Sequence, residues 1–236
     1  MAINTETVVY EGPHGPLEGV MAFDDAASGR RPGVLIVHTA LGRGVYETEV
    51  AEALARQGYA AFAADLYGQG ILPGGVDDGI ERARRVIADP EQKATHASLA
   101  ALRRHPAVDP ARIAAMGYCL GGKIVLDLAR AGASVAGVIS LHGGLNPAPW
   151  PSVTPIKPKV LVLHGWDDPY APPEHVTALA KELTAAGADW QIHAYGQTGH
   201  AFTNRHEPHT DVGVAYSADA DRRSWKTICD FLGELF

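Results

Sequence analysis

Short apolar runs alternate along this chain with stretches whose apolar residues recur at helical spacing. "TVVY" (7–10) and "LEGVMAF" (17–23), separated by the turn-forming "EGPHGP", predict a pair of antiparallel edge strands. "GVLIVH" (33–38) is apolar without alternation, the pattern of a strand covered on both faces. Residues 45–58 carry Val45, Val50, Ala53 and Leu54 at helical spacing and stop at Gly58. The pattern continues with a strand over 59–65, a glycine-rich loop over 66–79, and helices over 80–88 and 91–104 broken at Asp89-Pro90. A strand over 112–118, a helix over 120–132, a strand over 135–143 and a proline-rich loop over 144–159 follow. A strand over 160–165, a helix over 173–186, a strand over 189–196 and a helix over 214–235 close the chain. This alternation predicts right-handed crossovers and an α/β fold. The expected architecture is a mostly parallel central sheet of about 7–8 strands with helices on both faces, in one domain spanning 1–236. In such sheets functional groups collect at the carboxyl ends of the strands.

Composition narrows the function classes. The net charge is −7 and no basic block is present, which argues against nucleic acid and anionic membrane surfaces as partners. No run approaches the roughly 20 apolar residues of a membrane span. The start has no basic stretch followed by an apolar one, and the two cysteines form no CxxC pair; a reduced, cytoplasmic setting is expected. The glycines form no phosphate-binding string. His206 and His209 in "RHEPH" have no partner cluster, so no metal and no organic cofactor is expected. Monomer and small homo-oligomer both remain open.

The chemistry concentrates at "GYCLG". Gly117-Tyr118-Cys119-Leu120-Gly121 has the form Gly-x-nucleophile-x-Gly at a predicted strand-to-helix junction. A sharp reversal there needs glycines on both sides of a central residue in a strained conformation. The sulfur then projects above the sheet at a helix N-terminus, where the dipole favours thiolate. The Leu120 amide is placed as an oxyanion donor. A buried structural cysteine in a glycine-rich turn is the alternative. Cys229, flanked by Trp225, Ile228 and Leu232 at helical spacing, reads as packing.

A thiolate nucleophile needs a base and an orienting acid, here from later strands in the order nucleophile, acid, base. The strand 160–165 runs into Asp167 and Asp168, and the strand 189–196 into His200. The order Cys119, Asp168, His200 fits. His38, His142 and His164 end strands on the same side of the sheet and are expected to line a pocket.

The segments "HTALG" (38–42), "LARQGYAAFAADLYGQG" (54–70), "GYCLGG" (117–122), "LHGWDDPYAP" (163–172) and "GHAFTNR" (199–205) resemble the dienelactone hydrolase family of the α/β-hydrolase fold. The resemblance covers nearly the whole chain. It implies a cysteine-dependent hydrolase of a small-molecule ester or lactone, with no cofactor. It implies Cys119 as nucleophile, His200 as base, Asp168 rather than Asp167 as acid, and Ala40 and Leu120 as backbone oxyanion donors. His38, Thr39, His142, Trp166 and Phe202 are then expected around the substrate. Two positions depart from the family pattern. Thr39 stands where the dienelactone-hydrolysing members carry a glutamate beside the thiol. Asn204, next to Arg205, stands where they carry a substrate-binding arginine; Arg82, Arg84 and Arg85 are other candidate guanidiniums. The rival readings are a non-catalytic α/β-hydrolase that binds a small ligand, and a redox-sensing thiol at Cys119.

Overall fold

The computed structural model describes residues 2–26, 28–206 and 212–236. Its strands are β1 (Ile3–Gly12), β2 (Gly15–Asp24), β3 (Arg31–Val37), β4 (Ala60–Ala64), β5 (Val108–Tyr118), β6 (Gly137–Leu141), β7 (Lys159–Gly165) and β8 (Trp190–Tyr195). Its helices are α1 (Val45–Arg56), α2 (Val76–Ala88), α3 (Lys93–Arg104), α4 (Leu120–Arg130), α5 (Pro173–Ala185) and α6 (Ala218–Leu235). The strands form one eight-stranded, mostly parallel sheet in the order β1-β2-β4-β3-β5-β6-β7-β8. The chain packs as two compact units, Met1–Ala115 and Met116–Phe236, with the boundary inside β5.

In the first unit, β1 and β2 pair antiparallel from Ile3↔Asp24 to Gly12↔Gly15, well beyond the short strand expected over 7–10. β2 pairs antiparallel with β4, and β4 parallel with β3. Val34, Leu35, Ile36 and Val37 of β3 and all of β4 are fully buried, as their unbroken apolar runs require. α2 begins at Val76, inside the stretch expected to be loop. The Asp78 carboxylate accepts from the Gly74 amide (3.0 Å) and pairs with Arg82 (3.0 Å), which holds the first turn. Gly79 is unfavourable inside a helix. Here it is required, because a Cβ would stand 2.6 Å from the Ala40 carbonyl oxygen.

In the second unit, β6, β7 and β8 are parallel neighbours. α4, which follows the Cys119 turn, is buried along its whole length. Lys123, Asp127 and Arg130 share that burial and pay for it as a network. Lys123 Nζ donates to both Asp127 oxygens (2.6 Å each), and Arg130 Nη1 to Asp127 Oδ1 (2.9 Å). Arg130 also makes a two-pronged pair with Glu182 of α5 (2.8 and 2.7 Å). The two cations donate to the Pro147 and Asn146 carbonyls, which ties the loop after β6 to α4. α6 starts at Ala218 rather than at 214, because the Ser217 hydroxyl caps it by accepting from the Ala220 amide. Among the described residues no helix is long and apolar enough to cross a membrane.

Removing one partner of a buried ion network leaves uncompensated charge. Asp127→Asn strands Lys123 and Arg130 and is expected to destabilise the protein by about 3–5 kcal/mol in urea unfolding. A loss below about 1 kcal/mol would mean that water already screens the network.

Candidate active site

Cys119 lies between β5 and α4 with φ +53° and ψ −109°, a left-handed conformation that costs a non-glycine residue about 1–3 kcal/mol. The turn is possible because two glycine backbones touch. A Cβ on Gly117 would stand 2.3 Å from the Gly121 carbonyl carbon and oxygen. The Cys119 amide donates to the Leu141 carbonyl (3.0 Å) at the end of β6, and its carbonyl accepts from Lys123 in the first turn of α4 (3.2 Å). Leu120 is the first helical residue, so its amide has no acceptor within the helix.

The loops that carry Asp168 and His200 are joined by backbone contact. The Asp167 amide donates to the Thr198 carbonyl (2.9 Å) and the Trp166 amide to Tyr195 (2.9 Å). Gly165 and Gly199 approach so closely that a Cβ on Gly165 would lie 2.3 Å from the Gly199 carbonyl oxygen. Asp168 is buried while Asp167 is exposed. The His200 Nδ1–H donates to Asp168 Oδ2 (2.8 Å), and Asp168 Oδ1 accepts from the Tyr170 amide (2.8 Å). The His200 ring also hydrogen-bonds Cys119. Cys119, Asp168 and His200 therefore meet, all within the second unit.

Burial opposes a charge on His200, but the hydrogen bonds to Asp168 and Cys119 and the charges of both partners outweigh it. The pKa rises to about 10. The ring is edge-on to Tyr170 (4.9 Å between centroids) and to His142 (5.2 Å). His142 is buried, with Nε2 2.9 Å from the Thr203 hydroxyl. Burial, and then the charge of His200, hold its pKa well below the usual value, so it stays neutral. Phe202 is fully buried against the His142 ring (5.3 Å), and Trp166 is partly exposed beside the acid loop.

In the first unit, a compact loop runs from His38 to Gly44. His38 is fully buried and neutral, its pKa lowered by burial. Its Nδ1–H donates to the Thr39 carbonyl (2.6 Å), and its Nε2 accepts from the Leu66 amide (3.2 Å). Both ring nitrogens are thus engaged in holding the loop. The Leu41 amide donates to Thr39 Oγ1 (3.2 Å) and the Gly42 amide to the Thr39 carbonyl (3.2 Å). The Tyr67 hydroxyl donates to the Ala40 carbonyl (3.0 Å). Glu47, in the first turn of α1, is a buried acidic side chain turned onto this loop. Its two oxygens accept from the Gly44 (2.8 Å) and Thr39 (3.5 Å) amides. The Gly44-x-x-Glu47 spacing of a capping box is the signal that could have found it. Among the described residues, the Ala40 amide alone of Thr39 to Gly42 has no acceptor.

Arg82 pairs with Asp78 and Arg85 with Glu81 along the α2 surface, and Arg84 also faces Glu81. Asn204 is buried, and its Oδ1 accepts from the His206 amide (2.9 Å). Cys229 is half-buried, and burial pushes its thiol pKa up. His209 lies outside the described residues; among the others, no three His, Cys, Asp or Glu side chains converge as a metal would need.

The strand order, the sharp turn from β5 into α4 and the hydrogen bond between the loops after β7 and β8 belong to an α/β-hydrolase fold. The profile of the dienelactone hydrolase family matches residues 17–236, and the chain belongs to that family of hydrolases, whose members act on lactones and esters. It is similar to m3DLH, at 32% identity over the full length of both chains with a TM-score of 0.93. It is similar to a dienelactone hydrolase-like promiscuous phosphotriesterase from metagenomic libraries, again at 32% identity over both full chains, with a TM-score of 0.91. A carboxymethylenebutenolidase-like protein of Yersinia pestis is 26% identical across 91% of this chain and 82% of its own.

Two outcomes are expected. A histidine whose pKa lies above its ordinary value of about 6.5 stabilises the fold when protonated. The contribution of His200 is complete below about pH 6.5 and is lost as the pH rises through about 10. The stability gap between wild type and Asp168→Asn should therefore shrink over that window in urea unfolding, and a gap that widens would contradict the assignment. Separately, Glu47→Ala leaves the Thr39 and Gly44 amides without their acceptor. It should cost about 1–3 kcal/mol of stability, read the same way.

Proposed function

We propose that this protein hydrolyses esters or lactones through a Cys119 acyl-thiol intermediate. The reading is carried by one observation: Asp168 holds the His200 ring through Nδ1 at 2.8 Å while the same ring hydrogen-bonds Cys119. The raised pKa of His200 favours an imidazolium beside Cys119, and a neighbouring cation favours attack by sulfur. That pairing replaces the glutamate for which Thr39 stands.

The thiolate attacks the carbonyl carbon, and the carbonyl electron pair moves onto oxygen. The Leu120 amide receives that oxyanion. The imidazolium Nε2–H protonates the leaving oxygen as the carbon–oxygen bond breaks, which leaves an acyl-thiol and neutral His200. His200 then takes a proton from water as the water oxygen attacks the thioester. Collapse expels the Cys119 thiolate, releases the acid and restores the imidazolium. Trp166 is assigned to the substrate side of the acid loop, with His142 and Phe202 supporting the base. Thiolates favour substrates with good leaving groups, such as enol lactones and aryl esters.

Similarity to the promiscuous phosphotriesterase supports a second use of the same thiolate, displacement of aryloxide from an activated phosphotriester. Burst kinetics on an activated aryl ester test the reading. Wild type should release close to one equivalent of phenolate in the burst, and Cys119→Ala should abolish both burst and turnover. His200→Ala should lower kcat by about 10³-fold or more. A folded wild type with no turnover of any activated ester would instead favour the ligand-binding reading.

A further inference from the structure

Beside the connection from α2 to α3, the first unit holds a cavity of about 280 Å³. That is just below the roughly 300–1,000 Å³ of pockets for drug-sized ligands, so it suits a small one. Pro13, Leu66 and Val86 give it an apolar wall.

The start of α3 opens onto this cavity. An α-helix leaves its first amides without partners, and its aligned peptide dipoles make that end positive. The Lys93 amide is already used, donating to Asp89 Oδ2 (2.9 Å). The first bond along the helix runs from the His96 amide to the Gln92 carbonyl (2.9 Å). Between them, the Ala94 and Thr95 amides have no acceptor among the described residues. Both residues line the cavity. The Thr95 side chain points to a ligand independently. Thr95 is 1% exposed, and its hydroxyl has no hydrogen-bond partner among the described residues. Buried hydroxyls are nearly always paired, so an acceptor in the cavity would complete this one.

The charges select the ligand. Arg82 and Arg85, three residues apart on α2, line the cavity from one helix face. Their partners Asp78 and Glu81 are partly exposed, and surface pairs of this kind hold weakly, so both guanidiniums can turn to an anion. The acid in the lining, Asp89, has its oxygens occupied by the Glu91 (3.1 Å) and Lys93 (2.9 Å) amides. With three carboxylates already around two guanidiniums, one further negative charge fits better than two.

We propose that this cavity binds a small organic carboxylate. Its oxygens take the Ala94 and Thr95 amides and the Thr95 hydroxyl, Arg82 and Arg85 meet its charge, and its apolar body lies against Leu66 and Val86. The site stands independently of the hydrolase reading.

Amide NMR of the whole protein, titrated with benzoate, is the test. Benzoate should move the Ala94 and Thr95 signals along one saturating curve. Its neutral analogue benzamide should bind about tenfold more weakly, as should benzoate to the Arg82→Gln/Arg85→Gln protein, because each loses charge-assisted hydrogen bonds. Thr95→Val, which keeps the shape and removes the hydroxyl, should weaken benzoate severalfold. Thermal melting checks that each variant is folded. Equal binding of benzamide and benzoate to wild type overturns the proposal without any variant. So do Ala94 and Thr95 signals that stay still, whether benzoate binds nowhere or only near Cys119 and His200. Inorganic phosphate that saturates the same two signals at lower concentration than benzoate would assign the cavity to phosphate groups and overturn the carboxylate.

Discussion

The contact between the Gly117 and Gly121 backbones is the constraint on which the rest of the site depends. Any side chain at Gly117 would occupy the space of the Gly121 peptide. With both positions bare, the chain turns from β5 into α4 within one residue, and that residue takes the strain at φ +53°. The cost is met by burial elsewhere. α4 is enclosed along its length, and Asp127, Lys123, Arg130 and Glu182 clamp it to α5 and to the loop after β6. A helix held this firmly keeps its first amides, and the sulfur before them, in one place.

The second constraint is the placing of Asp168 and His200 against each other. Asp168 and His200 come from loops after different strands, and backbone bonds between those loops, not side-chain packing, set their spacing. His200 is then fixed on both sides, by Asp168 at Nδ1 and by the edges of Tyr170 and His142 around the ring. The electrostatic consequence is a raised His200 pKa beside a neutral His142. One imidazole carries charge and its neighbour does not, because Asp168 serves only the first.

Much of this was legible in the sequence where a local rule had one outcome. The eight strands follow from apolar runs bounded by turn residues, and the elbow from its glycines. The meeting of Cys119, Asp168 and His200 follows from strand-end order. What was not legible depends on pairing across distance. β1 extends to Ile3 because β2 offers it a full ladder, although its own residues alternate with polar ones. α2 starts in a glycine-rich stretch because Asp78 caps it and because Gly79 must clear the Ala40 carbonyl. Glu47 looks like one more acidic residue on an amphipathic helix, and only the folded loop turns its oxygens onto the Thr39 and Gly44 amides. The arginines of α2 are candidates for a substrate carboxylate by position, and the folded chain pairs them with their own helix's acids.

The central claim is that Cys119 becomes covalently acylated on the way to product. Rapid quenching of the protein with an activated aryl ester, followed by intact mass measurement and peptide mapping, tests it most directly. The account predicts one added acyl group on the peptide that contains Cys119, formed at least as fast as kcat. Undiminished turnover with no adduct on that peptide, or with the acyl group on another residue, would contradict it.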